Sequence, residues 1–575
     1  MLSTAPVLLS CHVLAYCHVL TLRFRSRSAR LAMRKAISFL AIAALLLPSC
    51  DGALKENPTS FVSPGSFYSN EEEALAALSG AYAGINRGVF SSYIGSWQFQ
   101  QMVSTPSAEV FAIKYAPGSV ARGWDNWTWT PSQHPRNTLE GTYELAYQGI
   151  NRANTVITRV PEISDENIDP AVRSRIVAEA RFIRAIHYYY LAGFFGRVPI
   201  VRQQTEGLGG LEKPNPSPDS AYTFAINALE NAIPDLPPRP EKTAPERASK
   251  GAAQTLLAKF YLQRSALTAE NGFPSEFQIA QPGDAQQAAD LLQQVINSGH
   301  YALRQDVQAQ FRDLFIDEQT GPSNDEVIFP IQADQTVGEG NGLPCLVSPQ
   351  ESSNFASASW NQYASELPFY TSFEDEDVRQ EVTFVTEYAS EATGDSVSYD
   401  LNNVEGDNYL EDSPTIDKYA RAADSESGCS DDNDIIFLRY SDVLLMKAEA
   451  LNEANGGPTG AAYDAINQVR ERAGLEPLSG ELSYEAFREA VYTERRKELV
   501  TEGHDWHTVQ RFFDIATERV REHAEFAASQ PPERTFAPPP EFLEIDDPKD
   551  RFMPLPQSAV ERNPQLTQNP GYGGN

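Results

Sequence analysis

The chain has 575 residues, of which 41% are hydrophobic and 22% are charged, so it lies in the globular range and is long enough to bury a large core. Its formal net charge of −32 excludes the basic surface that binding to nucleic acid requires. The length alone favours several domains. A helical stack with insertions uses such a length as one unit, however, and we expect a single unit.

An export signal is the first recognisable element. It begins at Met33 with two basic residues, and an apolar run follows at residues 37–47. This run is shorter than the roughly 20 residues that a membrane-spanning helix needs, which predicts cleavage. The signal ends in LPSC, where Cys50 occupies the position that bacterial lipoprotein signals lipidate. A chance cysteine is the alternative, which the small residues just before Cys50 disfavour.

These features predict the organisation of the N-terminal part. We expect residues 1–32 to be a misassigned upstream segment, residues 33–49 to be the lipoprotein signal peptide, and residues 50–64 to be the lipidated N-terminus and a polar tether. Residues 65–575 form the remaining unit.

Helical periodicity dominates both ends of that unit. Apolar residues recur at three- and four-residue steps, which predicts helices packed on one face. The predicted helices cover residues 70–86, 138–160, 173–195, 220–233, 250–265, 285–298 and 441–454, with a further one before Gly474. Ser441 is expected to cap its helix. Short helices joined by tight Gly turns form hairpins, so the sequence predicts a mainly α, TPR-like helical-hairpin scaffold.

Two long stretches interrupt the helical pattern, at about residues 89–135 and 301–434. Gly, Ser, Asn, Asp and aromatic residues increase there, which predicts loop-rich insertions with minor β-structure. Residues 326–331, EVIFPI, have the composition of a strand.

Strings along the whole chain resemble the SusD/RagB family of nutrient-binding lipoproteins. They are AEARFIRA followed by YYYL and FGRVP at residues 178–199, SKGAA and LLAKFYL at 249–262, LRYSDVLLMKAEALNE at 438–453, INQVRERAGL at 466–475, ERRKEL at 494–499, EGHDW at 502–506, and PLP with NPQLTQNPGY at 554–572. His504 and His507 depart from the Arg and Asp that the family often shows, which weakens any inference about ion pairs in that turn.

The resemblance implies a SusD-like helical scaffold and a lipid anchor in the outer membrane, facing the cell exterior. It also implies a SusC-type TonB-dependent porin as partner. The bound nutrient is commonly an oligosaccharide and sometimes a peptide, so a peptide-binding member of the family is an alternative.

A sugar site combines flat aromatic faces with amide, hydroxyl and carboxylate partners. Two loop regions of this chain offer that chemistry. The candidate ligand-binding residues are Trp124, Asn126, Trp127, Trp129, Trp360, Asn361 and Tyr363. We expect the first tryptophan cluster to form a half-exposed ligand platform and not to serve the core, because polar residues alternate with its rings.

No local motif predicts catalysis, a metal or a cofactor. A surface glycoside hydrolase is the enzymatic alternative, but nothing selects a pair of carboxylates. A scaffold that binds only proteins is the third hypothesis, which the aromatic loops disfavour. The charged run Glu494, Arg495, Arg496, Glu498 and Glu502 is expected to form structural ion pairs on a solvated helix.

The isolated histidines and cysteines predict little chemistry. His187 lies in an apolar helical stripe, where a hydrogen-bonded core histidine is expected. Cys345 and Cys429 either pair or remain unpaired, and the sequence does not decide between the two.

Overall fold

Most of the scaffold is described by the computed structural model, in which residues Tyr68–Asn575 form one compact unit. The described residues are 67–86, 94, 96–112, 122–125, 127–132, 138–207, 209–239, 246–305, 314–315, 324–334, 336, 340–349, 362–390, 394–398, 414–416, 418–419, 431–529, 545 and 548–573. The predicted upstream segment, signal peptide, Cys50 and tether lie outside them.

Helices make up most of the described chain. They are α1 Glu71–Tyr82, α2 Trp97–Ser104, α3 Arg122–Asp125, α4 Thr138–Arg159, α5 Pro170–Phe195, α6 Pro218–Glu230, α7 Lys250–Ser265, α8 Asp284–Asn297, α9 Leu343–Val347, α10 Leu367–Tyr370, α11 Arg379–Thr383, α12 Tyr440–Asn455, α13 Gly460–Arg472, α14 Tyr484–Leu499, α15 Asp505–Arg511, α16 Phe513–Ser529 and α17 Gln557–Arg562.

Side-chain caps explain where several helices begin. Asp169 accepts from the backbone N–H of Ala171 at 2.7 Å, so α5 begins three residues before the predicted start. It ends at Gly196, whose φ of +62° favours glycine. Ser249 caps α7, whose bounds match the prediction. The predicted cap at Ser441 is wrong, because α12 begins one residue earlier and buries this serine in its first turn.

The helices pack as a continuous series of neighbours. Helix α4 lies against α5, α5 against α6, α6 against α7, α7 against α8, and α8 against α12, which in turn contacts α13 and α14. Each helix therefore buries a face on the next one, as helical-hairpin stacks do. The mainly α, TPR-like scaffold predicted from the sequence is confirmed.

Short strands join the two insertions. The strands are β1 Val110–Ala112, β2 Val327–Ile331, β3 Tyr363–Ser365, β4 Phe384–Val385, β5 Glu387–Ala389, β6 Ser396–Ser398, β7 Thr415–Ile416 and β8 Ile435–Arg439. A four-stranded sheet has the order β1-β3-β7-β4, so the first insertion supplies an edge strand to a sheet of the second. The predicted strand near residue 328 is confirmed as β2, which pairs antiparallel with β8.

Candidate functional site

The first tryptophan cluster lies in the core. Trp124, Trp127 and Trp129 are only 2%, 3% and 3% exposed. The ring centroids of Trp127 and Trp129 are 5.2 Å apart, and those of Trp129 and Trp506 are 5.7 Å apart. Trp127 also packs edge-to-face on Phe513. The predicted half-exposed platform is therefore wrong for these three residues.

A sharp turn explains why the polar neighbours did not prevent burial. Trp127 has φ of 57°, and the N–H of Thr128 returns to the Gly123 carbonyl at 2.9 Å. The turn points the indoles inward while Thr128 is exposed and Asp125 is half-buried. Thr128 and part of the Asp125 side chain thus keep access to water.

The second loop region is described only in part. Tyr363 lies on β3 and is 4% exposed, packed in an apolar cluster with Val110 and Phe369. Its ring offers no open face for a sugar to stack on, and any other part in ligand binding remains a prediction. Asn126, Trp360 and Asn361 lie outside the described residues, and their predicted role remains a prediction.

A pocket of about 600 Å³ opens on a different part of the scaffold. It lies between α4, the segment at residues 199–213 and the C-terminal helix α17. Its lining includes Glu140, Tyr143, Glu144, Tyr147, Gln148, Asn151, Pro199, Val201, Thr205, Leu211, Lys213, Pro556, Ser558, Ala559, Arg562, Asn563 and Leu566. We call it the α4 pocket.

Aromatic and apolar side chains line much of the α4 pocket. The ring centroids of Tyr143 and Tyr147 are 4.8 Å apart, and the Tyr147 hydroxyl donates to the Pro199 carbonyl at 2.8 Å. Burial raises the pKa of both phenols, so both stay neutral. Leu211 is 52% exposed, and among the described residues no other large apolar side chain is exposed.

Charged and amide groups of the α4 pocket balance one another. Arg562 lies 2.8 Å from Glu144 and 3.5 Å from Glu140. With Lys213, the lining carries two formal positive and two formal negative charges. Such a pocket suits a neutral ligand that packs on apolar surface and forms a few hydrogen bonds.

The sequence did not identify the residues of the α4 pocket as ligand-binding. Tyr143 and Tyr147 fall in the helix predicted at residues 138–160, whose apolar spacing predicts only packing on one face. Their four-residue spacing does indicate a shared face. The partner surface on α17, however, lies more than 400 positions along the chain, as the Glu144–Arg562 pair shows. No local signal connects the two.

Known proteins resemble this chain in sequence and in fold. Residues 310–572 match a family profile described as "SusD family", and residues 88–262 match one described as "Starch-binding associating with outer membrane". The chain belongs to the SusD/RagB family. SusD-like protein P2 of Formosa agariphila is 26% identical over 554 residues, covering 93% of this chain and 99% of that protein.

Solved structures share the SusD fold. A SusD homolog from Bacteroides thetaiotaomicron superposes with a TM-score of 0.73 at 22% identity, covering 88% of this chain and 98% of that one. Surface glycan-binding protein A from Bacteroides uniformis gives a TM-score of 0.64 at 21% identity, covering 87% and 99%.

The charged run of the SusD scaffold is buried, and its predicted structural ion pairs are confirmed. Glu498 accepts from Arg379, Arg439 and Arg472, all of them buried. Burial alone raises the pKa of a carboxyl, but these guanidinium groups hold the pKa of Glu498 well below its ordinary value. The expectation of a solvated helix is wrong, because residues outside α14 cover it.

Other members of the run extend this network. Arg439 also pairs with Glu326 and with Glu502, and Lys418 pairs with Glu502. The network therefore ties β8, the residue that precedes β2 and the second insertion to α14. Its geometry is that of a structural junction, since the buried basic and acidic groups pair with one another.

Among the described residues, no group of three or more His, Cys, Asp or Glu side chains is arranged to hold a metal ion. Within the same ranges, no helix combines the length and the apolar character needed to cross a membrane. Cys345 is disulfide-bonded, and Cys429 lies outside the described residues.

Proposed function

We propose that this SusD-family protein is a lipoprotein of the outer membrane, exposed at the cell surface, which binds an oligosaccharide and delivers it to a SusC-type TonB-dependent porin. The α4 pocket carries the proposal of sugar binding. Its tyrosines and Leu211 supply apolar contact area, and its amide and carboxylate groups match sugar hydroxyls. The names of the fold neighbours, among them a surface glycan-binding protein, support the same ligand class.

Binding is favoured over hydrolysis by the placement of the pocket carboxylates. Glu140 and Glu144 are one helical turn apart on the same face of α4, and Arg562 pairs with both. Glycoside hydrolysis needs two carboxyl groups on opposite sides of the scissile bond. Glu140 and Glu144 both lie on the α4 side of the pocket.

Anchoring and delivery rest on the sequence and the family. The signal from Met33 to the cysteine at position 50 predicts lipidation of Cys50. Replacing Cys50 by Ala should move the protein from the outer-membrane fraction to the soluble fraction and abolish labelling with a fatty acid. A variant that still floats with membranes and takes up label contradicts the anchor.

The site of binding is tested by titrating oligosaccharides into matched variants. Leu211→Asp puts a charge on the apolar part of the α4 pocket, and Trp360→Ala removes the predicted stacking face in the second loop region. Either substitution should weaken oligosaccharide binding by roughly 1–3 kcal/mol and leave the free energy of unfolding unchanged. Trp127→Ala is the core control and should instead cost about 3–5 kcal/mol of folding stability.

The pattern of losses assigns the site. If only Leu211→Asp weakens binding, the ligand lies in the α4 pocket, and if only Trp360→Ala weakens it, the ligand lies at the second loop region. A wild-type protein that binds short peptides and no oligosaccharide would make it the peptide-binding alternative and refute sugar binding.

A further inference from the structure

A second pocket, of about 440 Å³, collects positive charge on a strongly acidic protein. It lies between α5 and α6 and is lined by Arg181, Arg184 and Arg202, with Asp219 as the carboxylate of the lining. The lining therefore carries a net formal charge of +2, while the whole chain carries −32. We call it the arginine pocket.

Phe224 and Tyr188 organise the arginine pocket, in which Arg184 is buried and Arg202 is exposed. The guanidinium carbons of Arg184 and Arg202 lie 4.5 Å and 4.9 Å from the ring centroid of Phe224. The segment that carries Arg202 is held in place because the N–H of Val201 donates to the Tyr188 hydroxyl at 2.8 Å. Two guanidinium groups are thus gathered around one aromatic ring.

Arg184 is short of partners for a buried charge. It is 6% exposed, and its Nη1 donates to the Asn154 side chain at 2.7 Å. Its Nε is buried and has no hydrogen-bond partner among the described residues. Burial and the neighbouring charges of Arg181 and Arg202 lower the pKa of Arg184 to about 10, so it remains charged at neutral pH. Buried charges are ordinarily paired.

The nearby carboxylate does not remove this excess of charge. Asp219 is partly exposed, and its Oδ1 lies 3.9 Å from Arg264, outside the pocket. Arg181 donates to the Asn231 carbonyl at 3.2 Å, which is a neutral partner. The described surroundings thus supply hydroxyl, amide and aromatic groups but little negative charge.

We propose that the arginine pocket binds an oxyanion group, a sulfate or carboxylate, carried on the glycan. Guanidinium groups bind such oxyanions through paired, charge-assisted hydrogen bonds. The lining also includes Ser220, Thr223 and Asn227, which are polar partners for adjacent sugar hydroxyls. The inference that a sugar carries the oxyanion rests on the proposed function, whereas the oxyanion site itself does not.

The test compares a sulfated oligosaccharide, its desulfated form and inorganic sulfate by calorimetric titration of the full chain. The variant is the double substitution Arg181→Gln and Arg202→Gln, which leaves the more buried Arg184 in place. The control is Arg173→Gln with Arg519→Gln, which removes the same charge from two arginines of surface ion pairs elsewhere. The sulfated ligand should bind the pocket variant at least about tenfold more weakly, and the control should bind as wild type does.

Each result of this test has one meaning. Sulfated binding that drops only in the pocket variant supports the proposal. If inorganic sulfate binds as tightly as the sulfated sugar and is lost in the same variant, the oxyanion site stands and its ligand is the free ion. Unchanged sulfated binding in the pocket variant overturns the proposal. Binding of the desulfated form reports separately on the proposed function.

Discussion

His507 illustrates at the scale of one residue how this scaffold uses polar side chains as packing groups. Its ring stacks on Tyr189 with centroids 4.1 Å apart, and its Nε2 lies 3.3 Å from the Tyr189 carbonyl oxygen. His507 is one of the positions where the chain departs from the family pattern. Here the position holds a neutral ring in the core, and burial lowers its pKa to about 3.

This shift predicts a loss of stability in acid. The unfolded chain takes up a proton on His507 below its ordinary pKa of 6.5, whereas the folded protein does so only near 3. The stabilisation that the neutral His507 ring provides is therefore complete above pH 6.5 and is lost as the pH falls towards 3. Between pH 7 and pH 5, wild type should lose about 2 kcal/mol more unfolding free energy than His507→Gln.

Urea unfolding at both pH values measures this difference. Buried carboxylates contribute equally to the two proteins, so the difference between them isolates His507. Parallel stability curves for wild type and variant would show that the ring does not titrate as the structure requires.

At the scale of elements, the contact between α4 and α5 depends on a glycine facing a histidine. A Cβ added at Gly149 would lie 2.2 Å from Nε2 of His187. His187 is fully buried, as its place in the apolar stripe predicted. The missing side chain at position 149 therefore sets how closely the two helices approach.

The substitution Gly149→Ala should destabilise the protein by about 1–3 kcal/mol, because the helices must move apart. Gly80→Ala is the matched control, since Gly80 also lies within a helix and a Cβ there meets nothing within 4 Å. It should stabilise by roughly 0.5–1 kcal/mol through helix propensity. Thermal unfolding measures the stability of both variants. Equal changes in stability for Gly149→Ala and Gly80→Ala would rule out the steric explanation.

The helices themselves were largely predictable, and the reason is physical. Spacing, caps and Gly stops are local, so α4, α5, α7 and α8 lie within a few residues of their predicted bounds. Trp127 was misplaced because its burial depends on Trp506 and Phe513, hundreds of positions away. The same reason explains why neither pocket was predicted. Each pocket joins segments that are distant in the chain or that follow an irregular path.

At the scale of the whole molecule, the buried ion-pair network holds the second insertion on the helical stack. Glu498 is its centre, because it pairs with Arg379 from the insertion, with Arg439 from β8 and with Arg472 from α13. Removing one member of a buried group leaves the others uncompensated.

Glu498→Gln should therefore cost about 3–5 kcal/mol of folding stability. Glu489→Gln is the control on the same helix, because Glu489 pairs with Arg519 at the surface, and it should cost less than about 1 kcal/mol. Chemical denaturation measures both. Similar small losses would mean that the network contributes no more than surface ion pairs do.

Recognition of a glycan without its cleavage is the central claim. The most direct measurement is equilibrium binding of the purified wild-type protein to a panel of neutral and anionic oligosaccharides, followed by chromatography of the recovered ligand. We expect saturable binding of at least one oligosaccharide, with the ligand recovered intact after long incubation. Shortened products, or the absence of binding to any oligosaccharide in the panel, would contradict it.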